Sequence, residues 1–314
     1  MNSALVVARK DFEDAIRSRG VLLVSAVFVA LFVFGAYFFA DQVSQAAQAS
    51  AQSGGQQGGD PVDSDAFLRT LSSGVTLLVP IVAVVASYSA VIGERASGTL
   101  KLLLSLPHSR RDVVLGKLLG RGGVVAVPAV GGLLLSMLVF PLTSVALAPL
   151  NYVAFTALTA LLGLVFVALS VGISAAASTG RRAVVGSVGS YLFLLVFWNR
   201  AADPIVGRLS DALSWEPATT VKASLTLKLL NPLGAYSSLV AALSAESTAL
   251  ARASVTGGIQ LSRRAGIVQQ IYAQRLTEEG IPFYLTDAAV LAYLLVWLAV
   301  SAVVGYAVFR RADL

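Results

Sequence analysis

The sequence predicts an all-α integral membrane protein, with six transmembrane helices, an interfacial amphipathic helix ahead of them and a cytoplasmic helix between the second and third spans. Three observations predict it. Of the 314 residues, 56% are hydrophobic and only 13% charged, and the mean hydropathy of +0.78 sets the chain apart from soluble proteins. Six apolar stretches reach or approach the roughly 20 residues that cross about 30 Å of hydrocarbon as helix, a form that satisfies backbone polar groups internally. The basic residues gather in alternate connections, which gives the spans a common orientation.

Residues 1–20 form the first element. Leu5, Ala8, Phe12, Ala15 and Ile16 recur at helical spacing while Arg9, Lys10, Glu13, Asp14 and Arg17 take the other side, the pattern of a helix lying on the inner leaflet. Phe12, Ile16 and Arg17 are its candidate contact residues. The spans are expected at 21–40, 71–92, 124–147, 152–177, 183–198 and 288–309. The length of the first and its charged prelude mark a retained span rather than a cleaved signal peptide. Residues 41–65 contain AAQASAQSGGQQGGD, which has almost nothing to bury, so a flexible outer loop is expected there. Pro149 and Asn151 make a short turn between the third and fourth spans, and Ser178–Arg182 closes the next hairpin. Arg181 and Arg182 can snorkel at one end of the short fifth run, with Phe197 and Trp198 at the other interface.

Residues 200–284 are too many for an ordinary structureless connection and should carry helices of their own. Apolar stripes at Ile205, Leu209 and Leu213, at Leu239, Ala242 and Leu243, and at Ile267, Ile271 and Leu276 predict a small extracytoplasmic helical cap. Such a cap could shield the outer mouth or recognise a substrate.

Arg9, Arg17, Arg95, Lys101, Arg110, Arg111, Lys117, Arg181, Arg182 and Arg310 fall on one side of this layout, which makes both termini cytoplasmic. The net charge of +6 therefore reflects topology, and no nucleic-acid partner is expected. The absence of cysteine excludes disulfides and thiolate metal sites within the chain, and one histidine, His108, with two methionines cannot relay a soft metal. No Walker A sequence exists, since Gly116 and Lys117 are followed by Leu118. No metalloprotease motif, nucleophile elbow or charged intramembrane pathway exists either. Catalytic, cofactor and metal residues are expected to be none in this chain.

The segment 94–121, ERASGTLKLLLSLPHSRRDVVLGKLLGR, carries the functional signal. Pro107 biases Leu106 away from helix, so a helix continuous with the second span and starting near Glu94 should stop there. Ser109 and Asp112 have capping-box spacing, which restarts a helix at once. Gly116 and Gly120 form a small-xxx-small pair suited to close helix packing.

This arrangement, through Glu94, Arg95, Gly98, Thr99, Leu100, Leu103, Leu104, Pro107, Ser109, Arg110, Gly116 and Lys117, resembles the permease subunits of type-2 (ABC-2) ABC transporters. Residues 8–20 resemble that family's interfacial elbow helix, and LNPLGAY at 230–236 is similar to permeases of the nitrous-oxide-reductase maturation type. The resemblance implies a homodimer or heterodimer with a second permease copy or paralogue, in membrane lipid, each half engaging a cytoplasmic ABC ATP-binding subunit. ATP and Mg would bind to that partner. The coupling helix from Glu94 to Leu106 would be the main contact and Thr179, Gly180, Arg181 and Arg182 a second one. Function is then expected to be ATP-driven, exporter-like permeation in the plasma membrane of a prokaryote. The alternative is a membrane scaffold or regulatory subunit that docks a non-ATPase partner through the same helix.

Overall fold

The computed structural model describes residues 3–52, 62–99, 109–256 and 263–311. Among the described residues the regular elements are all helices, and one isolated bridge joins Asp63 and Ala146. Six helical stretches among them are long and apolar enough to cross a membrane: Val21–Ala49, Ser64–Ala96, Arg110–Leu142, Pro149–Ala176, Gly180–Leu213 and Asp287–Arg311.

In chain order, α1 is Ser3–Ile16, α2 is Arg19–Gln52, α3 is Ser64–Ser87 and α4 is Ile92–Ala96. After them, α5 is Arg110–Met137, α6 is Pro149–Ala176, α7 is Gly180–Leu192 and α8 is Trp198–Leu213. Then α9 is Pro217–Leu229, α10 is Pro232–Ala242, α11 is Thr248–Ala253, α12 is Arg263–Glu279 and α13 is Asp287–Arg311. α6 is the central post, packed by α3, α5, α7 and α13. Its Leu162, Phe166 and Val171 are buried in one cluster with Val79 and Ala83 of α3 and Val125 of α5. Where lipid surrounds a bundle, the gain comes from packing rather than from leaving water, so small residues set how closely helices approach. At the α6–α13 crossing a Cβ on Gly305 would lie 2.8 Å from Gly172 Cα.

Several expected boundaries move, among them the start of the second span, which lies at Ser64 and not 71. α2 continues to Gln52, where a loop from Asp41 is expected, because Ala and Gln are good helix formers and neither Gly nor Pro interrupts them before that point. The third spanning helix begins at Arg110, ends at Met137 and gives way to a 3-10 turn at Phe140–Leu142, short of the expected 147. Pro141 ends it, since its ring and missing N–H cannot continue a helix. The fifth does not stop at Trp198: it runs from Gly180 to Leu213 over 34 residues through a π turn at Phe193–Phe197.

That π turn positions the long connection. The N–H of Trp198 bonds the carbonyl of Phe193, and the carbonyl of Leu194 accepts instead from Asn231 Nδ2 at 2.7 Å. Asn231 also N-caps α10, accepting from the N–H of Leu233 at 3.0 Å. The carbonyl end of α9 is pinned by two indoles, Trp198 Nε1 donating to Leu227 O at 2.9 Å and Trp297 Nε1 to Leu230 O at 2.7 Å. The NPLG turn therefore dips back into the bundle. α10 is packed by α3, α6 and α13 rather than lying over them as a cap, as befits a helix apolar or small on nearly all sides. Tyr236 hydroxyl meets Thr159 Oγ1 at 3.1 Å, which satisfies the buried phenol. The predicted stripes divide accordingly: Leu239 and Leu276 are buried, whereas Ile205, Leu209, Leu213, Ile267 and Ile271 are exposed.

Arg252 of α11 locks this region to α13. Its side chain is wholly buried, Nε donates to Leu285 O at 2.6 Å, Nη1 to Ser238 Oγ at 2.7 Å, and Nη2 pairs with Asp287. Burial pulls the guanidinium below its ordinary pKa range and Asp287 opposes that shift. Asp287→Asn is expected to cost about 1–3 kcal/mol of stability by weakening the hydrogen bond to a buried cation. The check is a lower melting temperature in lipid nanodiscs with the same oligomeric state.

Candidate coupling site

At the end of the bundle that holds α1, α4, the α6–α7 turn and the end of α13, buried charge joins the segments singled out from sequence. α5 opens with the predicted capping box, Ser109 Oγ accepting from the N–H of Asp112 at 3.1 Å and Asp112 Oδ2 accepting from the N–H of Ser109 at 3.1 Å. One turn on, Gly116 and Gly120 let α1 lie directly on α5: a Cβ would fall 2.5 Å from Val7 Cβ at the first and 2.8 Å from Ala8 O at the second. The face of α1 so covered is Ala4, Val7, Ala8, Asp11 and Ala15. Leu5, Ile16 and Arg17 are exposed and Phe12 is half-buried beside Gly123, so the predicted stripe splits into a protein face and an outward face. On the exposed side Arg9 Nε bonds Glu13 at 2.7 Å, and that hydrogen bond and charge hold the Glu13 carboxyl below its ordinary range.

Asp11 is the carboxylate on the covered face. Arg121 Nε lies 2.8 Å from its Oδ2, and Lys117 Nζ 3.7 Å from its Oδ1. Lys117, only 1% exposed, makes its short contact with Glu94 Oε2 at 2.8 Å. Arg121 also donates to the carbonyl of Ala86 at 3.0 Å, at the end of α3. α1, α3, α4 and α5 thus share a single chain of charge. In a low-dielectric setting such a network fixes geometry because no member can be left unpaired at small cost.

Arg95 faces the other way. Its Nη1 and Nη2 donate to Ala177 O and Ala175 O at 3.2 and 3.4 Å, carbonyls left over at the end of α6. Ile92 packs with Ala177 and Ala183, which joins α4 to α7. Thr179 caps α7 by accepting from the N–H of Arg182 at 3.3 Å, and Arg182 Nη1 donates to Ser178 Oγ at 2.7 Å. Gly180, Arg181 and Arg182 are exposed. Arg95 and Ile92 therefore hold the described start of the first predicted contact segment against the α6–α7 turn that carries the second.

Gly98 has φ +77°, the left-handed region that favours glycine, and a Cβ there would meet nothing within 4 Å among the described residues. Its role here is to turn the backbone out of α4. Thr99 Oγ1 donates to Glu94 O at 3.4 Å and lies 2.7 Å from Ser97 Oγ, bracing that turn. Leu100, Leu103, Leu104, Pro107 and His108 lie outside the described residues.

Asp11, Arg121 and Ser174, a residue that accepts from the backbone near α4, are not among the residues singled out from sequence. Asp11 carries a signal: a carboxylate on the face of Ala4, Ala8 and Ala15, opposite a Gly-Lys-x-x-Gly-Arg turn with two cations four residues apart.

Residues 5–314 match the family described as ABC-2 family transporter protein. The chain belongs to that family. As an ABC-2 transporter protein with six candidate spans, it is a multi-pass membrane chain and a transport subunit. Among its relatives is the probable ABC transporter permease protein NosY of Pseudomonas aeruginosa, 31% identical over 239 residues, 73% of this chain and 78% of the relative. The protein of the same name from Stutzerimonas stutzeri is 29% identical over 320 residues, 99% of each chain.

Proposed function

We propose that this chain is the permease subunit of an ATP-driven, exporter-like ABC transporter of a prokaryotic plasma membrane. A separate cytoplasmic subunit binds ATP and Mg and docks on the platform built by 94–107 and 179–182. Two permease copies, or this chain and a paralogue, enclose the path, with lipid against the outward apolar rows such as Leu23, Val27 and Phe34 of α2. The platform end lies in the cytoplasm, because Arg9, Arg17, Arg110, Arg181, Arg182 and Arg310 crowd there. One observation supports the reading: Arg95 ties α4 to the last carbonyls of α6, beside the turn that carries the second predicted contact, so a partner on both would push them together.

The test is copurification and ATPase activity of the whole complex in nanodiscs. Gly98→Trp strains a left-handed position and Leu103→Asp places a charge in an apolar contact, so each is expected to lower association or transport-coupled ATPase activity at least about tenfold. Membrane insertion should not change. Wild-type protein that copurifies with a non-ATPase partner and no ATP-binding subunit would support the scaffold reading instead.

A further inference from the structure

We propose that the second span carries a hinge at Tyr88–Val91, and that Ser174 of α6 is the clasp that joins the coupling segment to the fourth span instead of the second. The inference rests on Glu94–Thr99 meeting an ATP-binding subunit. Sequence patterning makes α4 a rigid continuation of the second span. The structure does not. α3 ends at Ser87; Tyr88 N–H still bonds Val84 O at 2.9 Å, and the ladder then slips to a 3-10 step, Ala90 N–H to Ser87 O at 3.0 Å, before it resumes with Gly93 N–H to Ser89 O at 2.9 Å. In an unbroken helix the N–H groups of Val91 and Ile92 would bond the carbonyls of Ser87 and Tyr88. Both instead donate to Ser174 Oγ, each at 3.1 Å. A single hydroxyl from another helix thus satisfies two buried donors that would otherwise hold the break closed.

Past the break, the side-chain fastenings of α4 to other described helices lead away from the body of α3. Glu94 goes to Lys117 of α5 at 2.8 Å, Arg95 to the end of α6, and Ile92 to Ala177 and Ala183. Through Asp11, Lys117 also reaches α1. Arg121 holds Ala86 O at the last turn of α3, which makes that turn the pivot. A push on α4 is then delivered to α1, α5 and α6 as one body, while α3 swings against it. Ser174, Lys117 and Arg95 are positioning residues for this transfer.

Because the chain has no cysteine, single and paired labels can be placed without background. The first arm needs no partner: amide hydrogen exchange of the full chain in nanodiscs. Ser174→Ala is expected to speed exchange at Val91 and Ile92 about tenfold, each amide losing its one buried hydrogen bond, while Ser174→Thr, which keeps the hydroxyl, leaves it near wild type. Unchanged exchange in Ser174→Ala with an unchanged melting temperature overturns the clasp. The second arm uses the complex with its copurified ATP-binding subunit and spin labels at Ala96→Cys paired with Ile81→Cys on α3 or Val127→Cys on α5, all exposed positions. Between nucleotide-free and ATP–Mg–vanadate states the 96–81 distance should change and the 96–127 distance should not. A fixed 96–81 distance during active hydrolysis overturns the hinge. A chain that binds no ATP-binding subunit overturns the coupling reading, and the exchange arm then decides the hinge by itself.

Discussion

Gly234→Ala is expected to destabilise the protein by about 3 kcal/mol, the upper part of the range for forcing an atom into a filled interior. The reason is steric. Gly234 has no left-handed backbone to protect, but its missing Cβ would fall 2.4 Å from the carbonyl oxygen of Lys228. A carbonyl cannot rotate aside as a side chain can, and this one accepts from the N–H of Asn231 at 3.2 Å. Moving it would pull on Asn231, whose amide fills the carbonyl of Leu194 left by the π turn, and on the α9 end that two indoles hold. The added methyl therefore trades against several buried hydrogen bonds, each worth about 1 kcal/mol. Gly189→Ala, where a Cβ meets nothing within 4 Å, is the matched control and should be neutral or slightly stabilising. Thermal unfolding in nanodiscs compares the two; equal melting temperatures would show that the NPLG turn is looser than its hydrogen bonds imply.

The fold class is legible because lipid leaves a chain little choice: long apolar runs must be helices, and their number follows from counting. Helix ends are less legible when the terminating force is not a strong local one. Ser109 with Asp112 announces the start of α5, a local device read in four residues. The continuation of α2 to Gln52 opposes a compositional reading, since the same Ala, Gln and Ser residues that cannot bury a surface can still extend an existing helix. α10 is hidden for a different reason. Its neighbours come from α3, α6 and α13, and nothing in PLGAYSSLVAA separates a helix inside a bundle from an interfacial one. At the candidate site, Glu94, Arg95 and Lys117 are legible as residues, but the pairing of Lys117 with both Glu94 and Asp11 joins positions far apart in the chain. Only tertiary packing brings α1 across the two glycines of α5 and so puts Asp11 in reach.

That pairing leads to the largest expected effect, in Lys117→Met. Methionine preserves most of the volume, so the loss is one of charge. Lys117 contacts Glu94 at 2.8 Å and Asp11 at 3.7 Å from an almost fully buried side chain. Without it Asp11 retains Arg121, at 2.8 Å, but the mostly buried Glu94 has no other cation among the described residues in ion-pair contact. Removing one partner of a buried pair costs about 3–5 kcal/mol, most of it from the charge left behind. Glu94→Gln in the same chain removes that charge, so the double variant should be more stable than Lys117→Met alone, by about 1–3 kcal/mol. The sign is the informative part: a second substitution at a packed site that only filled space would add to the damage. Melting of the four proteins in the cycle measures it, and limited proteolysis within residues 1–16 reports whether α1 has left α5. If the double variant is the least stable of the four, Glu94 is stabilised by something other than Lys117, and the charge chain from α1 to α4 is not what holds the platform in place.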